Sequence, residues 1–250
     1  MNATLLQHQQ LLQCAQSGSI FHSQPSTLQL PLTPSQIIQL AEPWLKKQRA
    51  SLWHRVFSHG PIYFDLCELV CTAALQCHRM DMYDHWYAHL SSIFPSTSLR
   101  LRMLQGLRAE CDLQFEKATH IYNEILKQDE THSGAAKRLV VVYRQSRRPR
   151  EAIQALNAYL DVYQCDVEAW EELMDVYVKE SMWDQAAYCA EECMQLRPLV
   201  YGYALVYAQV LVKQGQYGLA QKYFLKVLAL SQGQVDALKG VLEVGLRVIM

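Results

Sequence analysis

EAIQALNAYLDVYQCDVEAWEELMDVYVKESMWDQAAYCAEECMQLRP, from Glu151 to Pro198, is the stretch that decides the fold of this 250-residue chain. Ala152 and Ala186 stand 34 residues apart in it, and the same interval reaches outward to Ala118 and Ala220. The columns around these alanines agree. Four residues after each stand Tyr122, Leu156, Ala190 and Phe224; seven after stand Ile125, Tyr159, Cys193 and Val227; eight after stand Leu126, Leu160, Met194 and Leu228. These offsets share one face of a helix. Nine residues before each alanine, Ala109, Tyr143, Tyr177 and Leu211 place an aromatic or aliphatic side chain near the end of a preceding helix. Each unit is therefore a pair of helices.

A 34-residue period with a small residue at the helix crossing, flanking aromatics and a proline near the end has the form of the tetratricopeptide repeat. The third copy is clearest, with Trp170, Tyr177, Ala186 and Pro198 in frame. A methyl side chain lets the second helix of a pair approach the first closely, and Gly106 and Ala208 supply the matching small residue. Val140 and Met174 depart from that rule. The pattern predicts an all-α, right-handed α-solenoid of tetratricopeptide-like helix hairpins, with repeats at about 99–130, 133–164, 167–198 and 201–232. A degenerate hairpin over 60–95 precedes them and a closing helix over 235–249 follows, all within one solenoid spanning 33–250. Gly215 fits the residue just past a helix end, and Pro149 the first residue of one.

Upstream, Met1 to Ala41 contains no Lys, Arg, Asp or Glu and is rich in Gln. Residues 1–32 read as a mobile tail, in which Leu5, Leu6, Leu11 and Leu12 offer at most a short docking helix. Thr33-Pro34-Ser35-Gln36 has the form of a capping box, with proline preset at the first helical position. Pro43 must then start, kink or end the helix that follows.

Composition narrows the function. Twenty-three Lys and Arg against 24 Asp and Glu give a net charge of −1 and no global attraction to nucleic acid. Eight cysteines in a chain this long do not make a disulfide scaffold, and the start lacks the basic and apolar regions of a secretory signal, so a reducing cytosol is expected. The most apolar run, Pro61 to Cys77, carries Asp65 and Glu68 and falls short of the roughly 20 residues that cross a bilayer. No GxSxG, HExxH, P-loop or dinucleotide fingerprint occurs, so neither an enzyme nor a cofactor is expected. Cys67, Cys71, Cys77, His78, His85 and His89 contain two i,i+4 pairs that could suit zinc, but no CxxC supports it. Buried thiols in an apolar hairpin are the preferred reading, and no metal is expected.

Charge is polarised along the chain. Lys137, Arg138, Arg144, Arg147, Arg148 and Arg150 stand in the second repeat with no acid between them, whereas Asp161 to Asp184 hold eight acids against Lys179 alone. Glu168, Glu171, Glu172 and Asp175 belong to that acidic run. Two solvated faces are the plain interpretation; a surface for an oppositely patterned partner or for anionic lipid headgroups is the functional one. Leu238, Val241, Leu242, Val244 and Leu246 are too apolar to face water unaided, so either a partner or a missing segment covers them, which adds Leu242 and Leu246 as candidate partner contacts. A carboxylate clamp in the groove is not expected. Its columns hold Met103, Leu107, Lys137, Val141, Glu171, Asp175, Leu205 and Gln209, with no Asn and one Lys.

Glu151 to Pro198, its continuation YALVYAQVLVKQGQYGLAQKYFLKVLAL, and the upstream run AAKRLVVVYRQSRRPREAI together resemble the family of subunit 2 of the endoplasmic reticulum membrane protein complex. The likeness covers roughly Ser35 to Val241 and is strongest after Phe115. It implies a non-catalytic scaffold, peripheral on the cytoplasmic face of the endoplasmic reticulum. Such a scaffold bridges other subunits of that complex in support of inserting tail-anchored and multipass proteins, and does not self-associate by preference. The competing expectation is a free cytosolic adaptor that binds peptide segments.

Overall fold

The computed structural model describes residues 33–50, 61–231 and 233–249, and the expected tail over 1–32 lies outside them. Among the described residues there are 12 helices and no strand. They are α1 Pro34–Ala50, α2 Pro61–Gln76, α3 Met80–Ser91, α4 Leu99–Cys111, α5 Phe115–Gln128, α6 Ser133–Gln145, α7 Pro149–Val162, α8 Val167–Lys179, α9 Trp183–Leu196, α10 Tyr201–Lys213, α11 Tyr217–Leu230 and α12 Val235–Ile249. The chain divides into two compact units, Met1–Arg138 and Leu139–Met250.

In the first unit α1 begins at the capping box: the Thr33 N–H donates to Gln36 Oε1 at 2.8 Å and the Gln36 N–H to Thr33 Oγ1 at 3.4 Å. Two otherwise unpartnered helix N–H groups are thereby satisfied. The helix continues past Pro43, which neither starts nor ends it. Helix α2 packs against α1, α3 and α4, and so has almost no solvent face. That is why its sequence is apolar nearly all round. Cys67, Val70, Cys71 and Ala74 of α2 and Trp86 and Leu90 of α3 are fully buried in one cluster that extends from Ile37 to Leu104. Full burial of each larger aliphatic or aromatic side chain contributes about 1.5–3 kcal/mol. Helices α4 and α5 form the next hairpin.

In the second unit α8 pairs with α9 and α10 with α11, while α7 packs on α8, α9 on α10 and α11 on α12. The alanine column explains the closeness of the pairs. Ala118, Ala152, Ala186 and Ala220 each have 0% exposure, and the residues four and seven positions later are buried in every repeat. Val140 and Met174, the exceptions to the small-residue rule, are buried as well. Asp166 opens α8 by accepting the N–H groups of Glu168 and Ala169 at 3.1 and 3.4 Å, and its other oxygen accepts the Tyr159 hydroxyl of α7 at 2.7 Å. Cap and hairpin are thus locked by one side chain.

The turns between paired helices repeat more strictly than the sequence suggests. His78, Leu113, Arg147, Ser181 and Gly215 all have positive φ, from 55° to 79°. At each, the N–H two residues past the cap returns to a carbonyl of the last helical turn, as Gln114 does to Ala109 and Gln216 to Leu211. This is the Schellman arrangement, which favours glycine at the left-handed position. Only Gly215 supplies one. An L side chain there costs roughly 1–2 kcal/mol, partly offset by the greater unfolded-state freedom of glycine. Leu113→Gly should therefore stabilise the chain by about 0.5–1 kcal/mol in urea unfolding, because the leucine side chain is exposed and gives up little packing.

Candidate functional site

The polarised second and third repeats contain both side chains committed to the fold and side chains left exposed. Arg138 belongs to the first group. Its Nε donates to Glu110 Oε1 at 2.9 Å, and its Nη2 makes a second, short contact with Glu110 Oε2. The Tyr122 hydroxyl also donates to Glu110 Oε1. Glu110 is only 6% exposed and Tyr122 is fully buried, so α4, α5 and the first half of α6 are tied by one carboxylate. A planar guanidinium suits this site because it meets both oxygens at once. Burial, reinforced by the charge on Glu110, pushes the Tyr122 hydroxyl well above the ordinary phenol range.

Arg144 is shared within the second unit. It lies 3.4 Å from Glu172 and 3.6 Å from Asp175, both on α8, and Asp175 also meets Lys179 at 2.8 Å. The basic and acidic runs therefore partly neutralise each other within the chain. Glu171 accepts the Tyr203 hydroxyl of α10. Lys137, Arg148 and Glu168 are half-buried, Arg148 as the residue that precedes α7. Arg147 and Arg150 remain exposed, at the left-handed turn and in the first turn of α7.

The closing helix α12 sorts its apolar residues by face. Val244 is fully buried and Val241 half-buried, whereas Leu242 and Leu246 are 69% and 67% exposed and Leu238 is also open. In the four earlier repeats the position in register with Leu242 is held by Gly106, Val140, Met174 and Ala208, all of them buried. Gly240 fits against the ring of Phe224, where a Cβ would collide. Of the remaining repeat-defining residues, Tyr177 is buried, Trp170 half-buried and Pro198 exposed just after α9.

Two contributors were not singled out from sequence. Glu110 gives no signal, because a glutamate near the end of a helix is usually solvated, and only the partnership with Arg138 and Tyr122 reveals it. Gly240 falls outside the small-residue column and is exposed as a packing residue only by Phe224.

The Cys and His residues of the first hairpin do not converge. Cys67 and Cys71 are buried, His85 is exposed, and His89 Nε2 sits 3.0 Å from the Tyr63 hydroxyl. Among the described residues no group of three or more His, Cys, Asp or Glu side chains is placed to hold a metal ion. Cys189 and Cys193 are buried in the second unit, and burial pushes both thiols up to about 12.

These shifts carry a pH dependence. Tyr83 and Tyr122 are likewise raised by burial. The folded chain thus keeps these groups protonated where the unfolded chain releases its protons. Their stabilising contribution is complete below the unfolded values near 9 for thiols and 10 for phenols, and is lost as pH rises through the folded values. The thermal midpoint should hold steady from about pH 7 to 8.5 and fall progressively above about pH 9, as followed by far-ultraviolet circular dichroism.

Comparison with known proteins gives a consistent set of likenesses. Residues 78–222 match the family model described as the EMC2 TPR-like repeat domain. The chain is 36% identical over 176 residues to ER membrane protein complex subunit 2 of Xenopus tropicalis, covering 69% of this chain and 59% of that protein. It is 33% identical over 208 residues to subunit 2-B of Xenopus laevis, covering 82% of this chain and 67% of that protein. The chain thus spans about 59% of the length of the first of these relatives. Among solved structures, YrrB, described as a TPR protein with an unusual peptide-binding site, superposes with a TM-score of 0.54 at 12% identity, covering 81% of this chain and 97% of that one. MamA from Desulfovibrio magneticus RS-1 gives 0.54 at 16% identity, covering 68% and 96%. At such identities these two show the fold, an all-α tetratricopeptide solenoid.

Proposed function

The chain belongs to the family of ER membrane protein complex subunit 2, and from that premise we propose that it is a non-catalytic scaffold subunit of such a complex. It would lie peripherally on the cytoplasmic face of the endoplasmic reticulum and bridge other subunits in support of inserting tail-anchored and multipass proteins. The family match across 78–222 carries this reading. Three features support it: no described helix is long and apolar enough to cross a membrane, α12 presents exposed Leu238, Leu242 and Leu246, and Arg147 and Arg150 stand in solvent. An exposed apolar stripe suits a protein surface, and the two exposed arginines suit an acidic partner or, as a second use, anionic lipid headgroups.

Mild-detergent affinity purification of the tagged chain from its own cells, followed by mass spectrometry after a high-salt wash, tests the proposal. A stoichiometric set of endoplasmic reticulum membrane proteins is the expected result. Recovery of the chain alone, or with soluble chaperones, would overturn it in favour of a free peptide-binding adaptor. The double reversal Arg147→Glu/Arg150→Glu should lower that recovery severalfold and leave the thermal midpoint unchanged, because both side chains are exposed.

A further inference from the structure

Within the second unit, α7, α8 and α9 line an open cavity of about 620 Å³. That lies in the range of binding clefts and is far larger than a packing void. Its lining combines aromatic rings with negative charge. Trp170 of α8 and Tyr188 of α9 meet nearly at right angles, ring centres 5.8 Å apart and planes at 74°, so that they form two walls of a corner. Asp161 of α7 and Asp184 and Glu192 of α9 line the same cavity, and none of the lining residues is Lys, Arg or His.

The carboxylates are not neutralised. Asp184 accepts a hydrogen bond from the uncharged Gln214 side-chain amide at 2.8 Å, Glu192 stands one turn after Tyr188 on α9, and none of the three acids forms an ion pair among the described residues. The indole is fixed too, its N–H donating to the Gln164 carbonyl at 2.8 Å. Tyr188 is 54% exposed, a large aromatic surface left in water at the mouth of a built cavity. The three acids are not close enough to share a metal ion. Aromatic faces beside dispersed carboxylates, without ligand convergence, are the chemistry that receives an organic cation.

We propose that this cavity binds a basic side chain, arginine above lysine, carried by a peptide segment of a partner protein. A guanidinium stacks flat on one ring while its edge donates to carboxylates, which an ammonium cannot do. The volume exceeds one side chain and leaves space for the flanking peptide. The proposal concerns the isolated chain and does not rest on membership of a complex.

The test is fluorescence anisotropy of the full chain with a labelled Gly/Ser heptapeptide bearing one central Arg, against the same peptide with Lys or Gln. Saturable binding in the order Arg, Lys, Gln, weakened by salt, is expected. The double variant Asp161→Asn/Glu192→Gln should weaken the Arg peptide about tenfold, and Tyr188→Ala, at an exposed position, should do the same without removing charge. Equal binding of Arg and Gln peptides, no binding at millimolar peptide, or undiminished affinity in both folded variants would overturn the proposal.

Discussion

Glu110→Ala should lower the free energy of unfolding by about 3–5 kcal/mol, among the largest single-residue effects in the chain. The substitution removes the acceptor for the Arg138 guanidinium and the Tyr122 hydroxyl together. Arg138 cannot regain water easily, since only 21% of its side chain is exposed, and Tyr122 has no exposure at all. What is lost is less the attraction of the pair than the compensation of a buried charge. Arg138→Met should cost a comparable amount for the mirrored reason. The double variant Glu110→Leu/Arg138→Met, which leaves no unpaired charge, should recover most of the loss. A double-mutant cycle in urea measures this directly, and strict additivity of the two single effects would refute the account of the site.

Gly106→Ala is the second large effect, about 1–3 kcal/mol of destabilisation. A Cβ on Gly106 would lie 2.5 Å from Cε1 and 2.9 Å from the hydroxyl oxygen of Tyr122, closer than real carbon atoms approach. The ring cannot swing aside without abandoning Glu110. The usual gain of roughly 1 kcal/mol for alanine over glycine within a helix opposes this cost but does not outweigh it. Gly245→Ala, inside α12 with nothing within 4 Å of the added carbon, is the internal control and should be neutral or stabilising. If both substitutions shift the thermal midpoint alike, the contact with Tyr122 is not what holds glycine at 106.

These two sites mark where sequence reading succeeds and where it stops. The alanine column and its partners four and seven residues later could be read because every copy meets the same steric demand at a helix crossing, so small and apolar residues recur at one spacing. The helix turns obey an equally strict period, yet only Gly215 announces it. The left-handed conformation at His78, Leu113, Arg147 and Ser181 is imposed by hydrogen bonds that any residue can make at modest cost. Charge was the least legible feature. A run of basic residues in one repeat and acids in the next looks like two surfaces, but Arg138 and Arg144 are turned into the fold by Glu110 and by Glu172 and Asp175. Ion pairing between distant segments leaves no periodic trace. Nor did α12 divide its apolar residues by eye: Val244 faces inward while Leu242 and Leu246, on the opposite face, stand in solvent.

The scaffold proposal draws on that division, in which Leu238, Leu242 and Leu246 of α12, with Arg147 and Arg150, are exposed among the described residues. The most direct test is the native size of the chain in a digitonin extract of its own cells, followed by gel filtration and immunodetection. The account predicts elution in one large membrane-derived assembly with little at the 28.8 kDa of the lone chain, and release toward that size for Leu242→Asp/Leu246→Asp. Elution of the wild-type chain at its own mass, from a fraction free of membranes, would contradict it.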